Sequence, residues 1–191
     1  MGLIDGRSSV TVVISMLRAV NVGGRNMIKM ETLRALYESL GFEDVQSYVQ
    51  SGNLVFRTKL GNLVALRKRI EDAIETSFGF RPDVILRTPA DLRDVIARNP
   101  FSGRQGIEPG KLLVNFLAAD PGDEARQQVL AIKVDPDELH ILGREIFYYF
   151  PNGMGKSKLP TAQIERKLKT PGTGRNWNTI TKLLEIAAKL E

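Results

Sequence analysis

Apolar residues follow two spacings in the first forty residues, and the change of spacing predicts two elements. Val10 to Leu17 is a mostly apolar run of strand length, which predicts a buried strand. Apolar residues then recur at every third or fourth position from Met30 to Leu40, just before Gly41. This spacing predicts an amphipathic helix that ends at the glycine. The chain therefore begins with a strand followed by a helix.

The next forty residues extend this pattern to a complete unit. Val45 to Val49 alternates polar and apolar residues, Ser51-Gly52-Asn53 favours a turn, and Leu54 to Phe56 returns, which predicts a hairpin. A helix with an apolar stripe from Leu63 to Ile74 and a strand at Val84 to Leu86 complete the run. The order β-α-β-β-α-β is that of a ferredoxin-like split β-α-β unit.

The second half of the chain repeats most of this order. After a short helix from about Asp91 to Ala97, the pattern predicts five further elements. They are a strand at Lys111 to Leu117, a helix at Asp123 to Ala131, a hairpin at Glu138 to Phe150, a helix from Pro160 and a helix with an apolar stripe from Ile180 to Leu190. No final strand is evident, which suggests a degenerate duplication. We predict an α+β fold divided into a disordered extension (residues 1–9), a ferredoxin-like sub-domain (10–98) and a second, degenerate α+β sub-domain (99–191).

Composition narrows the possible chemistry. The chain has 191 residues, of which 42% are apolar and none is cysteine. Disulfides, thiolate metal sites and thiol nucleophiles are therefore excluded. His140 is the single histidine, which excludes a multi-histidine metal site, and it lies in a predicted strand, so we expect no histidine-based triad. The apolar runs are of strand length, and residues 1–9 lack the apolar core of a signal peptide. We expect a cytoplasmic protein with no membrane contact, no metal, no cofactor and no assignable catalytic residue.

Positive charge is concentrated in one segment. The formal net charge is +5. Residues 144–175 contain seven basic residues and two acidic ones, so this segment accounts for the whole excess. A local basic segment favours phosphate-bearing partners. It is equally compatible with a solvated lysine-rich surface.

The predicted topology brings separate polar segments to one edge of the first sheet. In a split β-α-β sheet, the third strand lies between the first two and the fourth lies beside the first. The loop 19–26, the turn 50–53 and residues 79–81 should therefore be neighbours. This edge contains Arg18, Asn21, Arg25, Asn26, Gln50, Ser51, Asn53 and Arg81, together with Gly23 and Gly24, which let backbone amides approach a ligand. Each piece alone also fits a structural turn, and the spacing is not that of a P-loop.

A glycine-rich segment, Thr170 to Thr179, has the composition of an anion site. We predict that it is a mobile turn leading into a helix that Asn176 caps, with Arg175 adding positive charge at the helix end. Trp177 also fits packing into the core, whereas Lys158 and Arg175 lie on glycine-flanked segments that can present side chains outward. The candidate ligand-binding residues are Arg18, Asn21, Gly23, Gly24, Gln50, Ser51, Asn53, Lys158, Arg175, Asn176 and Trp177.

Five ordered stretches resemble a known family. They are Arg18-Ala19-Val20-Asn21-Val22-Gly23-Gly24, Tyr48-Val49-Gln50-Ser51-Gly52-Asn53, Asn99-Pro100-Phe101, Ser157-Lys158-Leu159 and Arg175-Asn176-Trp177-Asn178-Thr179. These are similar to the hallmark stretches of the bacterial domain-of-unknown-function family numbered 1697, over about residues 10 to 190, although Ala19 stands where many members have glycine. The resemblance implies a cytosolic α+β protein with ferredoxin-like character. It implies no activity, ligand or catalytic residue.

Three classes of function remain open. The favoured class is binding of a phosphate-bearing ligand, either a nucleotide-like small molecule or a nucleic-acid backbone, by a basic loop surface. An RNA-recognition sheet is a poor match because the first strand has no aromatic residue. The second class is a protein-interaction or self-association module, in which the chain is a monomer or a homodimer. The third is an enzyme that relies on lysine, arginine and serine, such as Lys158.

Overall fold

The computed structural model describes residues 10–191, and the predicted extension at residues 1–9 lies outside them. The first half contains β1 (Thr11–Leu17), α1 (Met30–Ser39), β2 (Glu43–Tyr48), β3 (Asn53–Thr58), α2 (Leu63–Phe78) and β4 (Val84–Arg87), and α3 (Pro89–Ala97) follows it. The second half contains β5 (Leu112–Leu117), α4 (Gly122–Leu130), β6 (Glu138–Leu142), β7 (Glu145–Tyr149), α5 (Thr161–Leu168), β8 (Gly172–Asn176) and α6 (Trp177–Ala188). The predicted α+β class is confirmed.

Local sequence signals explain the ends of several helices. Asn62 caps α2, since its side chain accepts hydrogen bonds from the backbone of the first turn, and Gly79 ends the helix in the left-handed region. Thr88 and Asp91 form a reciprocal capping box at the start of α3. Asn176 caps α6, as predicted, because its Oδ1 accepts a hydrogen bond of 3.0 Å from the backbone N–H of Asn178.

Within residues 10–191, two four-stranded antiparallel sheets contain all eight strands. The first has the order β2-β3-β1-β4. β3 therefore lies between β1 and β2, and β4 lies beside β1, as the sequence predicts. The second sheet has the order β6-β7-β5-β8, which repeats the first order strand for strand. The second half is therefore a complete repeat in topology.

The absence of a final strand in the second half was a wrong prediction. Residues Gly172–Asn176, which we took for a mobile turn, pair with β5 over five positions, from Leu117 opposite Gly172 to Leu113 opposite Asn176. The pattern was missed because glycine and asparagine have low strand propensity. Glycine fits closely here, since a Cβ at position 172 would lie 2.8 Å from the Asn115 amide atoms, which would have to move.

The two sheets also share their register. Leu17 pairs with Val84 in the first sheet, and Leu117 pairs with Gly172 in the second. Met16 pairs with Asn53, and Phe116 pairs with Glu145. The registers therefore define structural counterparts in the two halves. These are Ser15 and Asn115, Asn53 and Glu145, Phe56 and Tyr148, Val84 and Gly172, Leu86 and Gly174, and Arg87 and Arg175.

Each sheet has an outer face under two helices and an inner face toward the other half. Helices α1 and α2 cover the outer face of the first sheet, and α4 and α5 cover that of the second. The inner faces share one apolar core with α3 and α6. Its members include Val12, Ile14, Met16, Leu92, Val114, Phe116, Ile180 and Leu183. Both halves therefore contribute to one continuous core.

Candidate functional site

The loop after β1 and the turn between β2 and β3 are neighbours, as the topology predicts. The Nδ2 of Asn21 donates to the carbonyl oxygens of Gln50 and Ile28, both at 2.9 Å. Its Oδ1 accepts from the backbone N–H of Ile28 at 2.7 Å. The amide of Asn21 is therefore fully engaged in joining the two loops. This observation gives Asn21 a structural role, and the adjacent Gln50 side chain remains exposed.

Arg175 connects the same edge to the second half. Its side chain extends from β8 and is buried, with only 8% of the residue exposed. All five N–H groups have acceptors, namely the Oδ1 of Asn53, the Oγ1 of Thr173 (2.7 Å) and the carbonyl oxygens of Gly174 (2.9 Å), Leu17 (2.9 Å) and Ser51 (3.1 Å). The prediction that Arg175 points outward was wrong, because a strand places it against the first sheet. Its guanidinium has no donor left for an external anion.

Arg87, the counterpart of Arg175, makes the reciprocal connection. It extends from β4, is 1% exposed, and donates to the carbonyl oxygen of Leu117 at 2.9 Å, just as Arg175 donates to that of Leu17. Its charge is balanced by Glu145, with Nη2 2.9 Å from the carboxylate. Glu145 also accepts from Arg98 at 3.3 Å. Two buried arginines thus join the halves, each from the last strand of its own half.

The two connections differ in charge. Arg87 faces Glu145, whereas Arg175 faces the amide of Asn53 at the equivalent position. None of the acceptors of Arg175 is a carboxylate. Burial lowers the pKa of Arg175 to about 10, which leaves the group charged at neutral pH. One positive charge therefore lies buried and uncompensated beside β8.

The opposite face of β8 forms the floor of a cavity. Because side chains alternate along a strand, Gly172 and Gly174 face away from Arg175. With the neighbouring strands and α5 they enclose a half-open cavity of about 440 Å³, which we call the β8 cavity. Its lining residues are Leu113, Asn115, Tyr148, Phe150, Met154, Ser157, Leu159, Thr161, Ile164, Glu165, Gly172 and Gly174.

Two polar groups in the β8 cavity have no hydrogen-bond partner within residues 10–191. They are the side-chain amide of Asn115 and the hydroxyl of Tyr148. Burial raises the pKa of Tyr148, and the negative charge of Glu165 adds to that increase. The hydroxyl is therefore neutral and can donate or accept. Because neither group is engaged by another part of the protein, both can hydrogen-bond to a ligand.

The one carboxylate in the lining is balanced by the first half. Glu165 accepts from the Nη2 of Arg18 at 3.1 and 3.2 Å, and Arg18 also lies 3.4 Å from Asp83. Arg18, a predicted site residue, thus lies beside the β8 cavity through this ion pair. Because Glu165 is paired, its charge opposes an anionic ligand less than a free carboxylate would.

The chain segment before α5 carries unpaired positive charge. Lys156 and Lys158 are exposed, and within the described part of the chain neither has an ion-pair partner. Ser157 and Leu159, on either side of Lys158, line the β8 cavity. The Oγ of Ser157 donates to Asp137 at 2.7 Å and accepts from the backbone of Leu159, which fixes this segment.

The remaining predicted residues have separate locations. Gly23 and Gly24 are exposed at the tip of the loop after β1, where a Cβ would meet no neighbour. Arg81 forms ion pairs with three acidic residues of α2. Trp177 is partly buried against the inner core, and Asn176 donates to the carbonyl oxygen of Gly110 at 3.0 Å. These residues therefore do not form a single site with Arg175.

Sequence reasoning missed Asn115, Tyr148 and the role of the two glycines. It did so because no strand was assigned to Gly172–Asn176, and the strand alternation that separates the glycines from Arg175 was not visible. The duplication is the signal that finds them. When the last strands of the two halves are aligned on Arg87 and Arg175, Gly172 and Gly174 occupy the positions of Val84 and Leu86. The second half therefore lacks two apolar side chains that the first half has.

The described residues contain neither a metal-binding cluster nor a membrane-spanning helix. From residue 10 to residue 191, no cluster of three or more histidine, aspartate or glutamate side chains is suited to hold a metal ion. In the same range, no helix has both the length and the apolar character needed to cross a membrane.

Comparison with known proteins identifies similar sequences and structures. A family model described as "Protein of unknown function (DUF1697)" matches residues 10–147. The fold is similar to that of SP0830, a conserved bacterial protein from Streptococcus pneumoniae, with a TM-score of 0.67 and 23% identity over 94% of this chain and 99% of that one. No curated protein matches significantly. The structural likeness supports the fold alone.

Proposed function

We propose that this chain, which belongs to the DUF1697 family of proteins of unknown function, binds a small anionic molecule in the β8 cavity. The observation that carries the proposal is the pair of unpartnered polar groups, the Asn115 amide and the Tyr148 hydroxyl, in a cavity with an uncompensated arginine behind its floor. Unknown function is the family's only description, so the proposal rests on geometry and charge.

The space is suited to a small molecule. The volume of about 440 Å³ lies within the range of roughly 300–1,000 Å³ that is typical of ligand pockets. Leu113, Phe150 and Leu159 supply apolar walls, and the two glycines supply a flat floor without side chains. A planar or apolar body of moderate size fits such walls. The Asn115 amide offers a donor and an acceptor side by side, which is the pattern that the edge of a nucleobase satisfies.

The charge favours an anion. Arg175 lies on the other face of β8, in a buried setting where electrostatic effects are stronger than in water. Lys156 and Lys158 are unpaired on the segment that borders the cavity. Glu165, the one acidic lining residue, is paired with Arg18. A nucleotide-like ligand, with an apolar ring and a phosphate, combines the features that these groups recognise.

Calorimetric titration of AMP and adenosine tests this proposal, because the two probes differ only in the phosphate. We expect AMP to bind at least tenfold more tightly than adenosine, with an affinity that falls as salt rises. Asn115→Ala should weaken both probes, since it removes the side-chain amide that we expect to hydrogen-bond to them. Gly61→Val places a side chain in open space and serves as the control. Equal affinities for AMP and adenosine, or full binding by Asn115→Ala, would contradict the proposal.

A protein contact at the Asn21 edge is a second candidate, favoured by a separate observation. Val22, Met27 and Val49 are exposed by 63%, 65% and 52%. Val49 has φ 53°, a conformation that is costly for a β-branched residue and that persists where a site requires it. An open cavity of about 480 Å³ with Asn21 and Lys29 in its lining adjoins them. The partner in this proposal is a second copy of the chain.

Light scattering over a range of protein concentrations tests the second candidate. A dimer that forms with little dependence on salt and that is lost in Met27→Lys would support an apolar contact at this edge. Val64→Lys is the matched control, since Val64 is similarly exposed, by 68%, but lies on α2. A monomer at every concentration would contradict it.

A further inference from the structure

A smaller cavity lies at the seam between the halves, and three of its walls are arginines. It has a volume of about 80 Å³ and is lined by Leu63, Val64, Arg67, Val84, Ile85, Leu86, Arg87, Ala118 and Arg144. We call it the seam cavity. Three of the nine lining residues are basic and none is acidic. Arg67 comes from α2 in the first half, whereas Arg144 precedes β7 in the second.

The seam cavity resembles the β8 cavity in position but differs in charge. In both cavities the first turns of a helix cover the last strand of a half. Val84 and Leu86 stand where the second half has Gly172 and Gly174. Beside the β8 cavity, Arg18 follows β1 and neutralises Glu165. Ala118 follows β5 in the corresponding place. The seam cavity therefore has positive groups and no carboxylate in its lining.

The arginines of the seam cavity are incompletely paired. The Nε of Arg67 is buried and has no hydrogen-bond partner, and its contact with Glu71 is 3.8 Å long. The two oxygens of Glu71 already accept from Arg81 and from the backbone of Val84, each at 3.2 Å. Arg144 is exposed and has no ion-pair partner within residues 10–191. Two guanidinium groups thus have unused donors at one small cavity.

Arg87 adds positive charge that Glu145 only partly offsets. Burial lowers the pKa of Arg87, Glu145 opposes this change, and the charge of Arg144 adds to the lowering. Arg144 and Arg87 therefore repel one another across the seam. An anion between them would relieve this repulsion, because it interacts favourably with both.

We infer that the seam cavity binds one phosphate-sized oxyanion, held by the guanidinium groups of Arg67 and Arg144 in the field of Arg87. The planar guanidinium fork matches the oxygen geometry of phosphate. The volume is several times the roughly 10–15 Å³ that a single water requires, so a tetrahedral oxyanion can enter. Since Arg67 and Arg144 belong to different halves, the bound anion joins them. The site is independent of the β8 cavity.

Thermal unfolding in sodium phosphate, compared with sodium chloride at equal ionic strength, tests this site. A ligand that binds only the folded state raises the melting temperature with concentration. We expect stabilisation of the wild type, and an apparent phosphate affinity at least about tenfold lower in Arg144→Gln and in Arg67→Gln, because each loses a charge-assisted hydrogen bond. Arg166→Gln, at an exposed unpaired arginine of α5, should behave as the wild type. AMP in place of inorganic phosphate shows whether the site accepts a free anion or a terminal phosphate group.

Two outcomes would overturn the inference. One is an Arg144→Gln protein with the phosphate affinity of the wild type, and the other is an equal loss in Arg166→Gln, which would indicate general screening of charge. The Asn115→Ala variant distinguishes phosphate binding in the seam cavity from binding in the β8 cavity. In the Asn115→Ala background, Arg144→Gln should still reduce phosphate stabilisation, even if the β8 cavity binds no ligand at all.

Discussion

The last strand of the first half reads Val84-Ile85-Leu86-Arg87, and its counterpart in the second half reads Gly172-Thr173-Gly174-Arg175. The helix before the first of these strands has 16 residues, and the helix before the second has 8. As a result, the outer face of the first half leaves a cavity of about 80 Å³ beside its last strand, and that of the second half leaves one of about 440 Å³. One topology thus produces a closed face and an open one.

The connections between the halves show the same kind of divergence. Arg87 and Arg175 each reach the last carbonyl of the other half's central strand, at 2.9 Å in both cases. Glu145 balances the first arginine, and Asn53 stands in its place beside the second. The comparison teaches that shared positions join the halves, while the positions that differ supply the open space and the unbalanced charge on which our proposed function depends.

The largest expected effect tests the difference between the two connections. Glu145→Leu leaves Arg87 buried without a carboxylate, so we expect a loss of about 3–5 kcal/mol in the free energy of unfolding. Asn53→Leu, at the counterpart position, removes one hydrogen bond from the Arg175 guanidinium and two that the Asn53 amide donates, but no carboxylate, and should cost about 1–3 kcal/mol. Urea unfolding monitored by circular dichroism measures both. Equal losses in the two variants would show that the connections do not differ as the charges indicate.

A second prediction concerns the glycine floor. Gly172→Ala brings a Cβ to 2.8 Å from the Asn115 amide atoms, and such overpacking should cost about 1–3 kcal/mol. Asn115→Ser introduces the residue that the first half has at this position, and combined with Gly172→Ala it should recover part of that loss. Thermal unfolding of the single and double variants measures the coupling. If the changes in melting temperature of the two single variants simply add in the double variant, a Cβ at position 172 does not press against the Asn115 amide.

These predictions also show how far the sequence alone leads. Periodicity located β1 to β7 and all six helices to within a few residues, because their apolar positions are regular. It failed at β8, whose strand identity depends on pairing with β5 and not on its own propensity. The orientation of Arg175 was predicted wrongly for the same reason, since only the register shows that Arg175 and Gly174 face opposite sides.

A third prediction compares how much the hydroxyl groups of two tyrosines contribute to stability. Tyr37 is fully buried and its hydroxyl lies 2.9 Å from the Oγ of Ser15, so Tyr37→Phe should cost about 1 kcal/mol. The Tyr148 hydroxyl has no partner among residues 10–191, so Tyr148→Phe should change stability by less than about 0.5 kcal/mol. Denaturant midpoints compare the two variants. A larger loss in Tyr148→Phe would mean that its hydroxyl is not available for a ligand.

A fourth prediction concerns Arg18. Its ion pair with Glu165 is partly exposed, so Arg18→Ala should cost no more than about 1 kcal/mol. The same change leaves the Glu165 carboxylate unpaired beside the β8 cavity and should weaken the binding of AMP more than that of adenosine. Calorimetry measures this selectivity, and Arg57→Ala, which breaks an ion pair on the first sheet, is the control. If Arg18→Ala leaves the ratio of AMP affinity to adenosine affinity unchanged, the Glu165 carboxylate does not affect ligand binding.

The central claim is that the open face of the second half binds a small molecule with both an apolar body and an anionic group, whereas the small cavity beside the last strand of the first half has no room for the apolar body. An ¹H–¹⁵N correlation spectrum, titrated with nucleoside monophosphates and with the uncharged nucleosides, tests it most directly. The account predicts saturable shifts at the backbone amides of Gly172 and Gly174 and at the side-chain amide of Asn115, stronger for the monophosphates than for the nucleosides. Shifts confined to the Gly23-Gly24 loop, or none in the β8 cavity, would contradict it.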